Sequence, residues 1–126
     1  MSADRENPAG YWESDIIYRI HTRLLVALHS EWDSPAPPPV DWWLSDTAKC
    51  FEDELVEAVG QEFGEASLFL LKDPRLCRLL PLWTRVFDRV SARPGYVLLT
   101  RNPLEVANSL ALRDGFTRER SFLIWL

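Results

Sequence analysis

Arg101 and Ser109 are the pair whose residue types and spacing best suit a specific chemistry. Arg101 ends an apolar run, residues 96–100, that reads as a buried strand. Asn102 as cap, Pro103 at the first helical position and Glu105 at the third then open a helix. A guanidinium offers a planar fork of donors, and a helix N-terminus adds a partial positive charge. Together they suit a phosphate. Ser109 falls about two turns into that helix. The alternative is local: Arg101 pairs with a carboxylate such as Glu105, and Ser109 bonds a helix carbonyl.

A second group follows another apolar run, residues 67–71. Lys72 stands at its end, where open α/β sheets place their ligands. Asp73 is a candidate proton acceptor, although an Asp-Pro after a strand also caps the next helix. Arg75 either binds an acidic partner or pairs with Asp73. His21 and His29 lie eight residues apart on one expected helix and read as packing or surface residues. Cys50 and Cys77 have no metal-ligand spacing and read as small buried apolar residues, so no metal and no disulfide framework is expected.

The elements that must position these residues are legible in outline. Ser14 caps a helix to about residue 29, with Ile16, Ile20 and Leu24 on its apolar face. Residues 33–41 are proline-rich and form a stiff connector. Ser45 or Asp46 starts a helix ending near Phe63, with Phe51, Leu55, Val59 and Phe63 inward and Glu52, Asp53, Glu54 and Glu57 in water. Gly64 ends it. Strand 67–71 precedes a helix over 76–90, which Pro81 should kink or restart. Strand 96–100 precedes the Asn102 helix, a turn at Asp114 and Gly115, and a last helix capped by Thr117. A strand–helix–strand unit implies a parallel pair with a right-handed crossover. The expected fold is α/β: one partial domain over residues 1–126, helix-rich, with a short parallel sheet and residues 1–9 flexible.

The formal net charge of −5 at pH 7 argues against a general nucleic-acid or anionic-membrane binder. A nucleotide is still compatible, because Lys72, Arg75, Arg78, Arg101 and Arg113 gather near the two run ends. Arg78 and Arg113 read as solvated helix faces. No signal-peptide core opens the chain and no run approaches the roughly 20 apolar residues of a membrane span. A cytoplasmic setting is the expectation.

The run, Arg101, Ser109 and helix arrangement resembles that of the sulfotransferases dependent on 3′-phosphoadenosine 5′-phosphosulfate (PAPS). In that family an Arg, and a Ser eight residues later, bind the 3′-phosphate. The segment 69–83, containing Lys72-Asp73-Pro74-Arg75, resembles a matching segment of a bacterial branch. Residues 7–14, containing Gly10-Tyr11-Trp12-Glu13, resemble an earlier segment of that branch.

The resemblance implies a P-loop-like fold and transfer of a sulfuryl group from PAPS to a hydroxyl or amine. Arg101 and Ser109 would hold the nucleotide, Lys72 would offset charge on the bridging oxygen or serve the acceptor side, and Arg75 would face the acceptor. Better-studied cytosolic members carry a histidine where this chain has Pro74, so the base falls to Glu13 or Asp73. Glu13 is preferred because related branches use a glutamate. The family's 5′-phosphosulfate loop has no counterpart here, as no Gly-rich loop ending in a basic residue plus Ser or Thr is present. The expectation is an internal piece of a sulfotransferase domain, with oligomerisation through the apolar end at residues 122–126. Two alternatives stand beside it: an inactive remnant or interaction module of the same fold, and a kinase-like P-loop enzyme.

Overall fold

The computed structural model describes residues 12–126. Among these residues the secondary structure is entirely helical: α1 Asp15–Ala27, α2 Asp46–Phe63, α3 Leu76–Arg89, α4 Pro103–Asp114 and α5 Arg118–Trp125, with a 3-10 turn at Trp42–Leu44. The chain divides into two units, residues 12–32 with Pro37–Pro94, and Asp33–Ala36 with Gly95–Leu126.

In the first unit α2 packs against both α1 and α3. The starts are set by local chemistry. Ser14 accepts a hydrogen bond from the Ile17 N–H at 3.2 Å, and Ser45 accepts one from Ala48 at 3.1 Å. Each satisfies a donor the first turn leaves over. Ile17, Leu24, Leu55, Leu79, Leu82 and Trp83 form the centre of the core. Helix α3 runs through Pro81 as one element. A proline costs it the one bond that the Cys77 carbonyl would accept. Buried Leu79 on one side and Leu82, Trp83 and Val86 on the other hold the two halves in register.

The second unit is a helical pair, α4 against α5. Asn102 Oδ1 accepts the Leu104 N–H at 2.9 Å and Pro103 occupies the first turn. Gly115 closes α4 in the left-handed conformation at φ 68°. Thr117 caps α5 through the Arg120 N–H at 3.3 Å. Ala107 and Leu110 are buried on α4, and Ser121 is buried on α5. The Trp125 indole N–H donates to the Arg101 carbonyl at 3.2 Å, tying the end of α5 to the start of α4.

The expected α/β fold with a short parallel sheet, and with it the P-loop-like architecture, is not formed: no strand occurs among the described residues. Residues 67–71 and 96–100 carry no regular structure and fall in different units. A run with strand composition becomes a strand only when a neighbour takes its N–H and C=O groups. Residues 68–73 keep the two-residue alternation, with Phe69, Leu71 and Asp73 turned inward and Leu68, Leu70 and Lys72 outward. Val97, Leu98 and Leu99, expected to be buried, are exposed.

Three smaller expectations also change. The buried stripe of α1 starts at Ile17, not Ile16. Glu52 is buried on α2 rather than solvated. Cys50 and Cys77 are both exposed. The expected flexibility of residues 1–9, and most of the 7–14 segment, lie outside the described residues.

Candidate functional site

The first unit gathers Glu13, Lys72, Asp73 and Arg75. Glu13 precedes the Ser14 cap of α1, and the other three sit in the segment that leads into α3. Lys72 Nζ donates to Glu13 Oε1 at 2.9 Å. The Glu13 side chain is 5% exposed and that of Lys72 50%, so the pair joins a buried carboxylate to a half-exposed cation.

Asp73 is buried and its carboxylate is shared between two groups. Oδ1 accepts the Arg75 backbone N–H at 2.8 Å and the Arg75 Nη1 at 3.1 Å. Its own carbonyl accepts the Leu76 N–H at 3.0 Å. Asp73 thus closes the turn ahead of α3, whose own N-cap is Arg75. Oδ2 meets His21 Nδ1 at 2.8 Å. On the far side of the imidazole, Trp83 Nε1 meets His21 Nε2, also at 2.8 Å. An indole nitrogen only donates, so Nε2 accepts and Nδ1 carries the proton that goes to Asp73. The result is a directed chain, Trp83 to His21 to Asp73. Burial pushes the Asp73 carboxyl up, but the His21 hydrogen bond, the Arg75 backbone N–H and the Arg75 guanidinium outweigh it. The net direction is down. Asp73 is an ionised anchor, and Glu13 is held in its ion pair with Lys72.

Arg75 lies with its Cζ 4.2 Å from the centre of the Tyr18 ring. Its side chain is 12% exposed.

In the second unit Arg101 and Ser109 are both exposed. Neither local alternative is realised. Among the described residues the Arg101 guanidinium has no ion-pair partner, and Glu105 does not reach it. Ser109 is unlike the other helical hydroxyls. Thr22, Thr84 and Ser121 each bond the carbonyl four residues back, at 2.9, 3.1 and 2.9 Å. Ser109 makes no such bond, so its hydroxyl is available to a ligand. The same unit has a groove of about 330 Å³ lined by Leu104, Ala107, Asn108, Ala111 and Arg118, and neither Arg101 nor Ser109 lines it.

Sequence reasoning missed three residues. His21 and Trp83 orient Asp73, and Tyr18 backs Arg75. A fourth, Glu52, joins Arg85 Nε at 2.6 Å and Arg89 Nη1 at 3.2 Å, fastening α2 to α3. The signal for His21 is its spacing: with Ile17, Leu24 and Leu28 it continues an apolar helix stripe, so it must find buried partners. Glu52 repeats that spacing with Ala48, Leu55 and Val59.

Among the described residues no three His, Cys, Asp or Glu side chains converge as a metal site, and no helix is long and apolar enough to cross a membrane. No protein-family model, curated protein or solved structure matches the chain.

Proposed function

We propose that this chain is a sulfotransferase-type nucleotide-binding protein, acting in the cytoplasm, whose second unit holds the 3′-phosphate of PAPS through Arg101 and Ser109. The observation that carries this reading is that both side chains are exposed and free of partners among the described residues. Arg101, beside the capped start of α4, is a donor suited to an oxyanion, and Ser109 adds a free hydroxyl further along the helix. Each charge-assisted bond to a phosphate is worth roughly 1.5–3 kcal/mol.

The co-substrate is PAPS and the products are the sulfated acceptor and adenosine 3′,5′-bisphosphate. The test is calorimetric titration of the chain with adenosine 3′,5′-bisphosphate, alongside Arg101→Ala and Ser109→Ala. Saturable binding weakened by both substitutions supports the reading.

A second reading is an interaction module without catalysis. The exposed run Val97, Leu98 and Leu99, together with Leu123 and Leu126 at the end of the chain, favours it. A folded chain that ignores the nucleotide but self-associates in sedimentation runs would establish it.

A further inference from the structure

Arg75 is held by a ring and by a carboxylate that is itself anchored in the core. Its guanidinium face lies on Tyr18, with Cζ 4.2 Å from the ring centre. One terminal nitrogen, Nη1, is bound by Asp73 Oδ1 at 3.1 Å. Asp73 cannot swing away, because its other oxygen is fixed by His21 Nδ1 at 2.8 Å, and His21 is fixed by Trp83 Nε1 at 2.8 Å. His21 and Trp83 are fully buried, so the clamp is anchored in the core.

What remains open is the edge formed by Nε and Nη2. Among the described residues neither nitrogen has a hydrogen-bond partner. These two N–H groups are parallel and match the two oxygens of a carboxylate. With the ring covering the guanidinium face, recognition falls to that edge. The side chain is 12% exposed, which leaves a narrow opening. The rotamer entropy of a free arginine has already been spent on the fold, and that favours affinity.

We infer that Arg75 is a preset receptor for an oxyanionic group, a carboxylate by best fit, of an acidic ligand, with Tyr18 and the Trp83–His21–Asp73 chain as its positioning residues. The site belongs to the first unit and stands whether or not the second unit binds nucleotide. Under the proposed function it makes the acceptor an acidic molecule.

The test follows the Arg75 Nε–Hε resonance of the full ¹⁵N-labelled chain during titration with sodium acetate and, separately, sodium sulfate, each against sodium chloride at matched ionic strength. The expected result is a saturable shift with acetate that chloride does not produce, retained in Arg101→Ala and weakened at least tenfold in Arg75→Lys, which keeps the charge and loses the fork. Sulfate shifting the resonance more tightly than acetate would reassign the ligand to sulfate or phosphate esters. Tyr18→Leu changes no charge and should weaken binding severalfold while circular dichroism shows the fold intact. An Arg75 resonance that does not respond to either anion, or equal binding by Arg75→Lys, overturns the inference.

Discussion

Replacing Asp73 by Asn tests the buried chain most sharply. The carboxylate accepts from three donors, the His21 Nδ1–H, the Arg75 backbone N–H and the Arg75 Nη1–H. An Asn amide has one accepting oxygen and one donating nitrogen. Whichever way it turns, a donor faces a donor. If His21 changes tautomer to relieve the clash, its Nε2 proton meets the Trp83 indole N–H, so the fault moves along the chain and stays buried. A buried donor left without a partner costs about 1–3 kcal/mol, and loss of the charge-assisted bonds brings the total to roughly 2–4 kcal/mol at neutral pH. With a urea dependence of about 1–3 kcal/mol per molar, the midpoint should fall by about 1–2 M. The pH dependence has a definite sign. Because the folded-state pKa of Asp73 is lowered, the unfolded chain binds more protons between the two values, and stability rises with pH across that window. The contribution is complete well above the unfolded value of about 3.9 and is lost as pH falls through it towards the lowered folded value. Urea titrations followed by far-ultraviolet circular dichroism, from about pH 7 to about pH 3, should show the gap between wild type and Asp73→Asn closing on acidification. An unchanged midpoint at neutral pH, or a gap that stays constant, would refute the reasoning.

Glu52→Gln should destabilise the chain by about 1–2 kcal/mol, below the usual cost of breaking a buried pair, because the two arginines it releases can turn to water; their side chains are 43% and 41% exposed. Asp53→Ala, at a side chain 62% exposed, should stay within about 0.5 kcal/mol in the same denaturation assay. Gly115→Ala should cost about 1 kcal/mol by thermal melting, because φ is 68° there. Cys50 and Cys77 should both react with a thiol reagent without denaturant, since both are exposed; two protected thiols would contradict their placement.

The helix ends were legible because they are written locally. Ser14, Ser45, Asn102 and Thr117 each cap within three residues of themselves, and Gly64 and Gly115 close helices with positive φ. The strands were misread because strand formation is a pairing event. Residues 96–100 have the β-branched and aromatic composition of a strand, yet composition cannot supply a neighbour. The apolar face of α2 was misjudged for a related reason. A four-residue repeat such as Phe51, Leu55, Val59 and Phe63 winds slowly around a helix of 3.6 residues per turn. Leu55 and Val59 are buried, while Phe51 and Phe63 stay at the edge of the core. At the candidate site, Lys72, Asp73 and Arg75 were visible as neighbours in sequence. The partners that fix Asp73 lie at His21 and Trp83, and only folding brings them to it.

The role proposed for Arg101 and Ser109 is to hold a phosphate of an adenosine 3′,5′-bisphosphate nucleotide. Calorimetric titration of the full chain with adenosine 3′,5′-bisphosphate, repeated with Arg101→Ala, tests it most directly. The expected result is saturable binding that the substitution weakens by at least tenfold, about 1.4 kcal/mol or more. A chain shown to be folded that takes up no nucleotide, or that binds it equally well without Arg101, would contradict it.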